Sequence, residues 1–145
     1  MIIRTAAEAD LPDILELYAQ PGMDDGKILS PDDAKTIYAK IMSYPDYELY
    51  VAEEDGTIVG AFALLIMDNL AHTGSKSAVI EDVAVTLTRQ GRGVGTQMMK
   101  RAAEICKSKA CYKISLSSNM KRADAHEFYK KLGYKIHGYS FLTEI

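Results

Sequence analysis

An α+β fold built on a mixed sheet is the class this sequence predicts, and three observations predict it. From Tyr47 to Thr86 three strand-patterned segments follow one another, the habit of antiparallel neighbours. From Ala78 to Ser117 an apolar strand, a glycine-rich turn, an amphipathic helix and a second strand form one crossover, which sets its two strands parallel. Helical periodicity near the start and again near the end supplies apolar faces to cover the sheet. With 145 residues, 48% of them hydrophobic, one domain over residues 1–145 is expected to bury a core without metal or disulfide.

Ile2 to Arg4 reads as a short strand, and Thr5 with Glu8 reads as a capping box opening a helix with Leu11, Ile14, Leu15 and Tyr18 on one face. Gln20 to Leu29, carrying Pro21, Gly22 and Gly26, reads as a loop. Ser30 then caps a second helix with Pro31 in its first turn and a stripe of Ala34, Ile37, Tyr38, Ile41 and Met42, ended by Pro45. Tyr47 to Glu53 and Thr57 to Met67 pair about the turn Glu54, Asp55, Gly56, and Lys76 to Thr86 is the next strand. The following helix turns Val94, Met98, Ala102, Ile105 and Cys106 inward, and Tyr112 to Ser117 is the strand after it. A last helix aligns Ala125, Phe128, Tyr129 and Leu132, stops at Gly133, and leads to an expected strand from Tyr134 to Phe141.

Composition removes several classes of function. A net charge of −3 lacks the concentrated basic surface that nucleic-acid binding needs. The longest apolar run, Ile58 to Met67, is about half of what a bilayer span takes and is broken by Gly60, so no membrane association is expected. With no signal-peptide pattern at the start, a soluble cytoplasmic protein is the expectation. Cys106 and Cys111 read as buried thiols in that compartment, a disulfide being the lesser alternative. His72, His126 and His137 share no ligand spacing, so no metal site is expected, and His126 reads as a packed or hydrogen-bonded helix residue.

The run Gln90, Gly91, Arg92, Gly93, Val94, Gly95, Thr96 lies between strand and helix. Its glycines let a backbone turn tightly around an anion, and the helix start adds unpaired N–H groups and a positive dipole end. A dinucleotide fingerprint fails, because Thr96 or Met98 stands where its last glycine belongs. A P-loop fails for want of a lysine before Thr96. An ordinary glycine-rich turn remains the alternative on these residues alone.

The spacing Gln90, x, x, Gly93, x, Gly95 resembles the Arg/Gln-x-x-Gly-x-Gly/Ala signature of the GNAT family of N-acetyltransferases, which bind acetyl-coenzyme A. Asn119 to Tyr134, with Ala125, Phe128, Tyr129, Gly133 and Tyr134, is similar to the closing motif of that family, with a longer stretch from Asn119 to Ala125. That closing region also resembles the one in aminoalkylphosphonate N-acetyltransferases. The resemblance implies the element order β-α-α-β-β-β-α-β-α-β with splayed parallel central strands, acetyl-coenzyme A as co-substrate, and a homodimer by family habit.

It also implies roles. Gln90, Gly91, Arg92, Gly93, Val94, Gly95 and Thr96 would hold the diphosphate, backbone N–H groups of Val83, Ala84 and Val85 would face the thioester oxygen, and Asn119 and Phe128 would line the cofactor arm. Tyr129 would be the general acid for the departing thiolate. Glu81 would be the base, and strand alternation admits only one of Glu81 and Asp82 to the reacting side. The implied reaction acetylates a primary amine, with a small metabolite as acceptor. Asp24 and Asp25 would suit a cationic one. A protein or peptide acceptor, and a non-catalytic coenzyme-A sensor, stand as alternatives.

Overall fold

The computed structural model describes residues 1–145. In chain order they form β1 (Ile2–Thr5), α1 (Leu11–Tyr18), α2 (Pro31–Ser43), β2 (Tyr47–Glu54), β3 (Thr57–Met67), β4 (Lys76–Val85), α3 (Val94–Ser108), β5 (Cys111–Leu116) and α4 (Ala123–Lys131). The strands make one mixed sheet in the order β1-β2-β3-β4-β5, with β1 to β4 successively antiparallel. Contacts divide the chain into two units, Met1–Ser115 and Leu116–Ile145.

In the first unit the β2–β3 hairpin closes through Asp55 and Gly56, both with positive φ (52° and 76°). That pair of left-handed residues matches the twist of the flanking strands, and Asp-Gly is the dipeptide that tolerates it. Alternation along the strands then sorts two faces. One gathers Leu49, Val51, Ala61, Ala63 and Ala84 against Leu11, Ile14 and Leu17 of α1 and Ala34 of α2. The other carries Phe62, Leu64 and Ile80 toward α3, whose Met98, Met99, Ala102 and Cys106 are buried. Phe62 is fully buried and stacks on Tyr50 with ring centroids 5.1 Å apart. Truncating it to alanine would cost about 3–5 kcal/mol.

Gly60 is where α3 comes closest to the sheet. A Cβ there would lie 2.7 Å from the Met98 sulfur, 3.1 Å from the Ala84 carbonyl oxygen and 3.3 Å from a Val94 methyl. The missing side chain lets the first turns of α3 sit directly on β3 and β4, which sets where the glycine run emerges.

Three expectations are corrected in this unit. Thr5 ends β1 and caps nothing; instead the Asp10 carboxylate accepts the Ala7 N–H at 2.7 Å and both terminal nitrogens of Arg4 at 2.6 and 2.8 Å. Ile37 and Met42 of α2 are exposed (47% and 43%), because only Ala34, Tyr38 and Ile41 of that stripe pack on the core. The inward face of α3 includes Met99, which the periodicity missed, while Ile105 is only partly buried.

The second unit has no fully buried residue, and local devices shape it. Helix α4 ends in a Schellman cap: Gly133 (φ 89°) donates to the Lys130 carbonyl and Tyr134 to the Tyr129 carbonyl. The strand expected over Tyr134 to Phe141 does not form. Ile136, Tyr139 and Phe141 are 85–92% exposed, and no ladder engages this segment. Alternating apolar residues state a propensity, but a strand exists only where a partner supplies the hydrogen bonds.

Candidate active site

The glycine run forms an open cradle. Gly91 and Gly93 both have positive φ (71° and 89°), which l-residues with a bulky side chain resist, and a Cβ at either would meet nothing within 4 Å. Gly93 is the N-cap of α3, with no side chain capping it and no acidic residue in the first turn. The first bond into the helix runs from the Gln97 N–H to the Gly93 carbonyl, so the N–H groups of Gly93, Val94, Gly95 and Thr96 have no partner in the protein. Four free donors, a positive dipole end and clear space above two glycines fit a diphosphate. Arg92 is exposed beside them. Gln90 works differently: its side-chain amide donates to the Val85 carbonyl at 3.1 Å, bracing the loop against the end of β4.

β4 itself is irregular. Its ladder with β3 slips between Ala61 and Ala63, so that Ala61 faces Ala84 while Ala63 faces Glu81. Asp82 lies in the slip with φ 52°. This is a β-bulge, where the strict alternation of neighbouring side chains lapses. Glu81 and Asp82 are both exposed, next to fully buried Ile80.

Both carboxylates act on Tyr47, and Asp82 acts on Tyr18 as well. Glu81 and Ala63 are opposite each other, Ala63 is opposite Leu49, and Tyr47 lies two residues from Leu49 on the same face. Tyr47 and Tyr18 pack on that core, and the Asp24 N–H donates to the Tyr18 carbonyl at 3.0 Å, fastening the 19–30 loop to the end of α1. Burial pushes the Tyr18 hydroxyl well above the ordinary phenol range, with the charges of Asp82, Tyr47 and Asp24 adding to it. That hydroxyl is buried with no hydrogen-bond partner. Partial loss of water raises the Tyr47 hydroxyl too, helped by Asp82 and Glu81. The same cause, then the neighbouring charge, lifts the Glu81 carboxyl through Asp82 and the Asp82 carboxyl through Asp24. None of the three carboxylates takes part in an ion pair.

In the second unit Tyr129 packs edge-on between Phe128 and Tyr134, at centroid distances of 5.1 and 5.8 Å. Asn119 is a turn residue: its side-chain oxygen accepts the Lys121 N–H at 2.9 Å. Its backbone carbonyl accepts from His126 Nε2 at 2.9 Å, which makes His126 the hydrogen-bonded helix residue expected. The Ser118 hydroxyl beside it is buried without a partner. Cys106 and Cys111 are free thiols, and burial pushes Cys106 up to about 12, with Cys111 adding. No group of three or more His, Cys, Asp or Glu residues is arranged to hold a metal ion, and no helix is long and apolar enough to cross a membrane.

Tyr18, Tyr47 and Ser118 were not legible as site residues. Tyr18 fell on the apolar helix face and Tyr47 read only as the start of a strand; the signal was the hydroxyl itself, which a buried ring keeps only at a cost unless something partners it.

Comparison with known proteins narrows the chemistry. The model of the acetyltransferase (GNAT) family matches residues 11–134. A glucosamine 6-phosphate N-acetyltransferase of Trypanosoma brucei brucei is 34% identical over 90 residues, 62% of this chain and 59% of that protein. An aminoalkylphosphonate N-acetyltransferase of Salmonella typhimurium is 31% identical over 91 residues, 63% of this chain and 58% of that one. The chain thus matches about three fifths of the length of these curated relatives. A crystal structure of a Trypanosoma brucei acetyltransferase superposes with a TM-score of 0.84 at 29% identity, covering 99% of each chain.

Proposed function

The chain belongs to the GNAT acetyltransferase family, and from that premise we propose that it is an acetyl-coenzyme-A-dependent N-acetyltransferase acting on a primary amine of a small molecule. The observation that carries this reading is the cradle: unpartnered N–H groups from Gly93 to Thr96 under open space, at the position of the family's cofactor signature. When bound, the co-substrate supplies an activated acetyl group whose C–S bond breaks as the new C–N bond forms.

The residues of this chain have four tasks in that reading. The N–H groups of Gly91 and of Gly93 to Thr96, with the Arg92 side chain, hold the diphosphate, while Gln90 keeps the loop in place through Val85. Backbone donors from Val83 to Val85 take the developing charge on the carbonyl oxygen. Glu81 accepts the proton that the ammonium must lose before nitrogen can attack; its raised pKa brings it nearer the working pH of a base. Tyr129 donates a proton to the departing sulfur, a role supported by the closing motif. Asn119, Ser118 and Phe128 are the polar and aromatic contacts assigned to the cofactor arm.

The reading is tested by thiol release from acetyl-coenzyme A over a panel of amines, amino sugars, aminophosphonates and peptides. Release with small amines supports it; release with peptides alone moves the acceptor to protein. Calorimetric uptake of coenzyme A with no release on any acceptor would make the chain a sensor.

A further inference from the structure

The open glycine run has nothing of its own to hold it. A Cβ at Gly91 or Gly93 would meet no neighbour within 4 Å, and a free glycine backbone loses entropy when a ligand orders it. Whatever sets the cradle must lie at its two ends. On one side α3 is anchored in the core by Val94 and Met98. On the other the chain leaves β4 at Val85 and makes a single 3₁₀ turn, Leu87–Arg89, whose leading residue Thr86 supplies no side-chain cap. The Leu87 N–H finds its acceptor 67 residues away in the chain, in the side-chain oxygen of Gln20 at 2.9 Å. The nitrogen of the same amide donates to the carbonyl of Leu17 at 2.8 Å, in the last turn of α1, where Leu17 itself is buried. Both ends of the amide are used, so its orientation is fixed: a flipped amide would set N–H against N–H and oxygen against oxygen. Gln20 does from a distance what a capping residue does locally, satisfying an orphan donor and fixing how the turn leaves the strand.

Three other contacts pin the same segment. The Thr86 N–H donates to the Val59 carbonyl at 2.9 Å, the Gln90 amide to the Val85 carbonyl at 3.1 Å, and Arg89 pairs with Glu54 at 3.1 Å. The first two tie it to the sheet, and the third is a half-exposed ion pair that water and salt weaken. Gln20 ties it to α1. We propose that Gln20 is a positioning residue of the cofactor site: by fixing Leu87 against α1 it holds the glycine run in the geometry that takes the diphosphate before the ligand arrives. The proposal rests on the reading of the cradle as the acetyl-coenzyme-A site. The amide acts through Leu87 and needs no contact with the cofactor. Without it, part of the binding energy goes into ordering the loop, and affinity falls.

A double-mutant cycle on the full chain tests it, read by calorimetry of coenzyme A. Gln20→Met keeps the length of the side chain and removes both hydrogen bonds. Leu87→Pro deletes the partnered N–H at a first-turn position that suits proline, after a Thr86 already extended (φ −55°, ψ 137°). Gln20→Met is expected to weaken coenzyme-A binding by about three- to tenfold in the unsubstituted chain and by less than about twofold in the Leu87→Pro background. Amide hydrogen exchange should quicken over residues 86–97 in Gln20→Met while β2 and β3 keep their protection. A Gln20 that merely stabilises α1 through Leu17 would cost the same in both backgrounds, and that equality overturns the proposal. Unchanged affinity in Gln20→Met overturns it too. Should Leu87→Pro fail to fold, the exchange pattern of Gln20→Met decides: faster exchange confined to residues 86–97 supports the proposal, and no change there sinks it. Coenzyme-A uptake with a silent cycle removes this proposal alone, whereas no uptake by the unsubstituted chain removes the cofactor reading and this proposal together. A positive cycle without thiol release on any amine keeps the proposal and removes the acetylation reading.

Discussion

The glycine cradle and the acidic residues of the bulge stand at the two ends of one stretch of chain, Ile80 to Thr96, and they present opposite charges by opposite means. The cradle is made of backbone: N–H groups at the start of α3, with side chains kept out of the way. The acidic residues present side chains, and the β4 bulge sets how they lie. A site of main-chain donors depends on conformation and so is exacting about glycine. A pair of carboxylates depends on assembly and so is exacting about the fold around it.

Removing the one hydroxyl assigned to neither region should have the largest effect. Tyr129→Phe is expected to lower kcat by about 10²-fold or more while leaving coenzyme-A affinity near its starting value; a fall in affinity alone, by calorimetry, would reduce Tyr129 to a packing residue. Next comes the cradle. Gly93→Val forces a β-branched residue to φ 89°, so coenzyme-A binding should weaken by more than about tenfold, and a titration with unchanged affinity would mean the diphosphate is held elsewhere.

Two carboxylates then give opposite answers to pH. Arg4 hydrogen-bonds Asp10 and holds its carboxyl below the usual range, so its contribution to stability is present above the unfolded pKa and is lost as pH falls through the folded one. Asp10→Asn should cost about 1–3 kcal/mol in denaturant unfolding at neutral pH and progressively less in acid. Asp82 is raised, so it favours the folded state only while protonated, and that benefit disappears as pH rises through its folded value. Asp82→Asn should therefore raise the Tm of the free protein by a few degrees at neutral pH, and the gain should vanish in acid. A destabilised variant would show that Asp82 has a structural partner.

The cradle was legible because its determinants are adjacent: three glycines, a preceding strand and a following helix state a conformation within eight residues. The hairpin at Asp55–Gly56 and the Gly133 cap were readable for the same reason, each being a local demand for positive φ. What local pattern could not show was the slip opposite Phe62, where alternation lapses at Asp82, since nothing near Asp82 marks it as left-handed. Nor could it join Tyr18, Asp24 and Tyr47, from three separate segments, into one electrostatic group.

By itself, then, the sequence determined the order of elements from β1 to α4, the glycine turn into α3 and the family, because each rests on neighbours along the chain or on motifs of fixed spacing. Tertiary structure alone decided that Glu81 and Asp82 both bear on Tyr47, that the Tyr18 hydroxyl is buried without a partner, and that residues 134–141 lack a strand partner. Those facts depend on which distant segments supply charge, cover and hydrogen bonds, and periodicity carries no record of that.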